Sequence, residues 1–321
     1  MLPNSVEQET ELPSMVIPKV ALLATTPSIP ARTESSSWLA AYLELTKPRI
    51  LILILLISIA GFCLATEGSV DRLQLLHMSI GIGLLAAGLG ALNQFFEREI
   101  DAVMRRTERR PLPSGRITPA KALLFGILAA VGGIAYLALL VNPLSAILGI
   151  VTLAGYLFLY TPLKRISTLS TVVGALPGAM PPLIGWTAAR GEITVEASIL
   201  FLIMFLWQFP HFLAIAWMYR EDYARAGICM LPIIESEGRV TGQQVVLYAL
   251  ALLPVSLLPS MIGLAGVNYF FGALILSLVY LYFSVRVAVV RSRLQAKRLL
   301  QASVLYLPLL FVLMLLDKLA K

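Results

Sequence analysis

The sequence predicts an all-α polytopic membrane protein with nine transmembrane helices. Three observations predict it. Hydrophobic residues make up 58% of the 321 positions and charged residues only 13%, about half the charged share of a soluble domain. Apolar runs reach the roughly 20 residues a helix needs to cross hydrocarbon, while the short alternating segments of a transmembrane barrel are absent. The basic residues also alternate in side. With the N-terminus cytoplasmic, nineteen lysines and arginines fall in inner segments and four in outer ones, the positive-inside pattern. Removing one span would break that alternation from there on.

Taken in order, residues 1–37 are rich in Pro, Ser, Thr and Glu without periodicity, which predicts a disordered cytoplasmic tail. Glu7, Glu9 and Glu11 oppose a transit peptide. "WLAAYLEL" (38–45) suits a short interfacial helix with Trp38 and Tyr42 at headgroup depth. The spans are predicted at 50–66, 74–96, 120–140, 143–160, 168–188, 197–218, 243–264, 268–290 and 299–316, so that residues 38–321 form one nine-helix domain with the C-terminus outside. The outer loops are short and nearly featureless. The inner loops after spans two, four and six carry most of the polar side chains, which places any chemistry at the cytoplasmic face. The net charge of +7 is accounted for by topology and needs no nucleic-acid partner. Cys63 and Cys229 fall on opposite sides of the membrane and cannot pair.

Three stretches carry the polar chemistry. In "LNQFFEREIDAVMRRTERRPLPSG" (92–115), Asn93, Glu97 and Asp101 are four apart, so each steps round a helix by about 40° and the three form one stripe about 12 Å tall. An amide oxygen and two carboxylates are hard ligands suited to Mg²⁺ shared with substrate phosphates. The arginines that follow offer forked donors for phosphate oxygens. A helix end neutralised by local arginines explains the same residues. In "YTPLKR" (160–165), Lys164 and Arg165 serve either topology or the same anion. "STVVGALPGAMPPLIGW" (170–186) contains Pro177, Pro181 and Pro182; such breaks occur inside protein or beside a cavity, so this span is a kinked packing helix or a cavity wall. In "LWQFPHFLAIAWMYREDYARAG" (206–227), His211 lies mid-span near Trp207 and Gln208. Tyr219, Glu221, Asp222 and Tyr223 make a second acidic helix end on the same side as the first. His77 stands alone and suits an interfacial position.

These residues resemble the intramembrane prenyltransferases of the UbiA superfamily, and within it the heme O synthase (protoheme IX farnesyltransferase) family. "NQFFEREID" is similar to the first acidic motif Asn-x3-Asp-x3-Asp, "RRTERRPLPSG" to the basic segment after it, and "PGAMPPLIGW" and "LWQFPHFLAIAWMYREDYARAGICMLP" to later signatures of that family. The likeness covers about residues 40–316. Two departures stand out. Glu97 occupies a position where Asp is commoner, and Asp222 has Met218 and Ala226 four residues away on either side, so its acidic motif is incomplete.

The resemblance implies nine helices around a central cavity opening to the cytoplasmic side of a bacterial inner membrane. It implies farnesyl diphosphate and heme B as substrates, with heme B not a cofactor, and heme O and diphosphate as products. It implies Mg²⁺, as two ions bridging the diphosphate, on Asn93, Glu97, Asp101 and Asp222. Arg98, Arg105, Arg109, Lys164 and Arg165 would hold the remaining diphosphate oxygens. Tyr160 and Tyr219 would position the substrate or steady the cation, and His211 and Trp207 would contact heme. Membrane lipids surround the protein, and heme a synthase or an oxidase assembly factor is an expected partner by family analogy. Other readings are prenylation of a quinone precursor or chlorophyllide, a transporter with its sites nearer the midplane, and a non-catalytic heme carrier with no need of the acid stripe.

Overall fold

The structure, a computed structural model, describes residues 38–319; the predicted tail, 1–37, lies outside the described residues. Among those described, every regular element is a helix and nine helices are long and apolar enough to cross a membrane. A short α1 (Trp38–Leu45) precedes α2 (Pro48–Ala65), α3 (Arg72–Val103) and α4 (Pro119–Leu140). They are followed by α5 (Pro143–Leu163), α6 (Ser170–Arg190) and α7 (Val195–Met218). Two short helices, α8 (Arg220–Arg225) and α9 (Leu231–Ile234), lead to α10 (Arg239–Met261), α11 (Val267–Val290) and α12 (Arg293–Leu319).

The helix starts have local causes. Asp71 accepts from the Leu73 and Gln74 amides at 2.9 and 3.0 Å, and Asn142 accepts from the Ser145 amide at 2.8 Å, satisfying donors that have no intrahelical partner. Pro48, Pro119 and Pro143 open their helices, where the missing N–H costs nothing. The spans sit where hydropathy predicts them, with two notable differences. α3 overruns its predicted end at residue 96 to reach Val103, because its polar stripe turns inward rather than breaking the helix. α12 starts at Arg293 rather than 299.

Two spans are irregular, and both face the cavity. α5 relaxes into a π-helical stretch at Gly155–Tyr160, closed by Thr161 Oγ1 donating to the Tyr156 carbonyl at 2.9 Å. α6 breaks at Ala179 between Ser170–Gly178 and Met180–Arg190, as Pro177, Pro181 and Pro182 remove backbone donors. Gln208 of α7 donates to the Ala175 carbonyl beside the break at 3.1 Å.

α3 packs along α4, α2 lies against the second half of α6, and α10, α11 and α12 pack in sequence beside α7. α12 returns to α2 and closes the ring. There Lys318 donates to the carbonyls of Cys63, Leu64 and Thr66 at 3.0, 2.7 and 2.6 Å, capping the negative end of α2. Small residues let α3 and α4 approach closely: a β-carbon on Gly133 would lie 2.8 Å from the Gly81 carbonyl oxygen. Gly132, one residue away, meets nothing within 4 Å. We therefore expect Gly133→Leu to destabilise the bundle by about 1–3 kcal/mol through overpacking, read as a lower unfolding midpoint in detergent, while Gly132→Ala leaves the midpoint unchanged or raises it.

Candidate active site

The stripe on α3 is buried. Asn93 is 1% exposed, Glu97 7% and Asp101 0%. A buried carboxylate needs a counter-charge, and three other segments supply the bases. Arg110, in the α3–α4 loop, donates to both oxygens of Asp101 at 2.6 and 2.7 Å, while Thr107 Oγ1 donates to the Asp101 carbonyl at 2.9 Å and fixes the loop's return. Lys164, just past α5, lies 2.5 Å from Glu97. Lys47, between α1 and α2, donates from Nζ to Asn93 Oδ1. It holds a left-handed backbone (φ 53°) immediately before Pro48, which turns the chain from the interfacial helix into the span.

Charge and burial set the ionisation of these bases. Burial pushes the Lys47 ammonium down to about 7, the Arg110 charge adds to that, and Glu97 opposes it. Burial also acts to lower Lys164, but its neighbours Tyr160 and Glu97 outweigh it and hold that ammonium well above its ordinary value. Lys164 Nζ also sits over the Tyr160 ring, 4.2 Å from its centroid, a cation–π contact. The π stretch of α5 sets Tyr156 and Tyr160 edge to face at 5.0 Å.

A third group comes from α8 and the turn that joins it to α7. Asp222 is buried and pairs with Arg225. Arg106 lies over the rings of Tyr219 and Tyr223 at 5.3 and 5.9 Å and reaches the Tyr223 hydroxyl at 3.5 Å. Burial raises the Tyr223 phenol. The Cys229 amide donates to the Lys164 carbonyl at 2.7 Å and its thiol to the Arg165 carbonyl at 3.3 Å, stitching the α5–α6 loop to the α8–α9 loop.

Two hollows meet this belt. One, about 290 Å³, is walled by apolar residues of α2, α3, α6 and α7, with Lys47, Asn93, Tyr156, Tyr160 and His211 among its lining. The other, about 640 Å³, is lined by Arg105, Arg106, Tyr219, Arg220, Glu221, Asp222, Arg291 and Arg293.

Most of the predicted residues share this region, but not all of them. Asn93, Glu97, Asp101, Tyr160 and Lys164 form one connected group; Arg105, Tyr219 and Asp222 line the second hollow. Arg98 points away: it sits 4.9 Å over the Phe95 ring and pairs with Glu99. It follows Glu97 by one position and so projects about 100° round the helix. Arg109 and Arg165 are exposed and, among the described residues, take no part in the ion pairs. Trp207 and His211 stack at 4.8 Å and line the apolar cavity, and both bind Ser303 of α12: Trp207 Nε1 donates to its carbonyl at 2.9 Å and His211 Nδ1 meets its hydroxyl at 2.8 Å. Sequence reasoning passed over Lys47, Arg106, Arg110 and Tyr156 as members of the site. Lys47 precedes a helix-opening proline and looks like a topology charge. Arg110 is one of five clustered arginines, and only the loop's return selects it.

The four predicted metal ligands are not gathered into one cage. Among the described residues no three His, Cys, Asp or Glu side chains converge as a metal site, because each carboxylate is held by its own base. The donor chemistry nevertheless fits Mg²⁺ with a diphosphate. The carboxylates are hard oxygen ligands, the bases that now neutralise them match phosphate oxygens, and Asn93 Nδ2, buried beside Glu97, meets no close hydrogen-bond partner among the described residues, a donor an anion can use.

A charged mouth over an apolar pocket suits an intramembrane prenyltransferase, which must grip an anionic head while sheltering a hydrocarbon chain. The UbiA prenyltransferase family model matches residues 54–314. A protoheme IX farnesyltransferase of Solibacter usitatus is 54% identical over 286 residues, covering 86% of this chain and 98% of that protein. Among solved structures, a digeranylgeranylglyceryl phosphate synthase superposes with a TM-score of 0.75 at 19% identity over 88% of this chain and 99% of its own. A UbiA homolog from Archaeoglobus fulgidus bound to GPP and Mg²⁺ superposes with 0.62 at 15% identity over 85% and 99%. The chain belongs to the UbiA prenyltransferase family, and it is a multi-pass membrane enzyme.

The pairing of Glu97 with Lys164 carries a stability prediction. Lys164→Met leaves Glu97 buried without its base and is expected to cost about 3 kcal/mol. The double variant Lys164→Met/Glu97→Gln should recover most of that loss, as a double-mutant cycle on thermal unfolding in detergent will register. Additive losses would mean the two side chains are not coupled.

Proposed function

We infer that the protein transfers the farnesyl group of farnesyl diphosphate to a vinyl group of heme B, forming heme O and diphosphate. The near full-length likeness to protoheme IX farnesyltransferases carries the choice of acceptor. The belt of buried carboxylates and bases at the mouth of an apolar cavity supports the chemistry.

In this reading Arg110 and Lys164 leave Asp101 and Glu97, and Lys47 leaves the Asn93 amide oxygen, to donate to oxygens of the incoming diphosphate, and Asn93 Nδ2 donates to one of them. Asn93, Glu97 and Asp101 would hold one Mg²⁺ and Asp222 would share a second. When bound, Mg²⁺ neutralises charge on the departing diphosphate. The C1–O bond of farnesyl diphosphate breaks with both electrons leaving on oxygen, and the cationic side chains stabilise that developing negative charge. The apolar walls exclude water from the allylic cation. Tyr156 and Tyr160 line the cavity, where their rings would steady positive charge. The vinyl double bond attacks the farnesyl carbon, and water then adds to the resulting benzylic-type cation and loses a proton, giving the hydroxyethylfarnesyl group. The charge bias supports a bacterial inner-membrane protein with its N-terminus cytoplasmic and C-terminus outside, its product passing to a membrane partner such as heme a synthase.

Purified protein supplied with heme B, farnesyl diphosphate and Mg²⁺ should yield a heme heavier by one farnesyl group plus one water in mass spectra, and chelation of Mg²⁺ should abolish it. Unchanged heme alongside a prenylated quinone precursor or chlorophyllide would overturn the choice of acceptor. Asp101→Asn should lower turnover by at least about a hundredfold; full turnover would remove Asp101 from the diphosphate site.

A further inference from the structure

The second hollow holds more positive charge than its protein neighbours can use. Five arginines line it against two carboxylates, Glu221 and Asp222, and Asp222 is already paired with Arg225 outside that set. Among the described residues none of the five makes an ion pair. Arg106 and Arg220 instead sit over the rings of Tyr219 and Trp217, at 5.3 and 5.2 Å from the ring centroids, cation–π contacts that hold the charge in place without neutralising it. Arg291 ends α11 in the left-handed region (φ 48°), the position where glycine is favoured. A long charged side chain kept at a strained backbone position points to a function for that side chain. Its guanidinium also reaches the Glu237 carbonyl at 3.4 Å, which tethers it to the loop before α10.

We propose that this hollow, with Arg291 and Arg293 at its outer wall, is the seat of the two propionate groups of the heme acceptor. The proposal rests on the farnesyltransferase reading. The reaction brings two anions together. The α3 belt with Asp222 and Arg105 matches the diphosphate and its ions; Arg220, Arg291 and Arg293, which that match does not use, are left for the porphyrin, with two carboxylates on one edge. Forked guanidiniums suit carboxylates in pairs. α7 supplies the spacing. Trp207 and His211 line the apolar cavity and Trp217 to Tyr219 line the hollow, so the two are offset by roughly 13 Å along one helix. That matches a porphyrin lying with its carboxylates at the charged rim and its vinyl edge turned inward to the isoprenoid.

The test compares kinetics of the reconstituted protein on heme B and on heme B dimethyl ester, whose carboxylates are blocked. Arg291→Gln/Arg293→Gln should raise KM for heme B by about tenfold, the loss of one or two charge-assisted hydrogen bonds, while KM for farnesyl diphosphate and the unfolding midpoint stay as in the wild type. The ester should be a poor substrate for the wild type and no poorer for the variant. A rise confined to farnesyl diphosphate would assign the hollow to diphosphate, and equal KM for heme B and its ester in the wild type would leave the propionates without a seat; either overturns the proposal. Absence of farnesylation of either heme by the wild type would instead overturn the underlying choice of acceptor.

Discussion

Burial of carboxylates on α3 is the constraint from which the rest of the active-site belt follows. A carboxylate taken out of water costs several kcal/mol unless a base and hydrogen bonds attend it. α3 supplies none of those bases itself. Lys47 comes from the α1–α2 junction, Lys164 from the end of α5 and Arg110 from the loop to α4. The site is therefore assembled only when these segments have folded around α3, and the same contacts that hold the segments in place pre-orient the groups that chemistry needs.

Backbone irregularity is concentrated where that belt meets the apolar cavity. The π stretch at Gly155–Tyr160 rotates Tyr156 and Tyr160 towards Lys164, and wide turns of this type are frequent at functional sites. The break in α6 at Ala179 faces Gln208, consistent with the rule that broken backbone inside a membrane lies against protein or a cavity. Elsewhere the bundle is regular and tightly packed, with α3 and α4 in near backbone contact and Lys318 clasping the end of α2. A regular, tightly packed bundle with one polar, irregular rim is the arrangement the proposed chemistry asks for, apolar walls around the cavity and polar groups at its mouth.

Hydropathy and charge alternation made the nine spans legible, because lipid imposes both on any helix that crosses it. What they could not locate were helix ends that continue into polar surroundings. Glu97 and Asp101 look like the exit from hydrocarbon, whereas their burial against Lys164 and Arg110 carries α3 on to Val103. The acid stripe was legible from its four-residue spacing alone. Its bases were not, since Lys47 is 46 positions from Asn93 and Lys164 is 67 from Glu97, separations at which no local periodicity operates. Arg98 was misplaced for the converse reason: nearness in sequence to Glu97 puts it on a different face of the same helix.

α7 joins the two halves of this arrangement. Its middle packs Trp207 and His211 against Ser303 of α12, and the turn after it leads into α8, so that Tyr219 and Asp222 meet arginines of α8, of the α3–α4 loop and of the α11–α12 junction. A helix anchored so firmly at its centre holds the apolar cavity and the cationic rim at a fixed spacing. On the proposed assignment of diphosphate and porphyrin to the rim, a flexible chain with a charged head and a flat ring with a charged edge would both be held by their charged ends, with their apolar reacting ends turned to the same cavity.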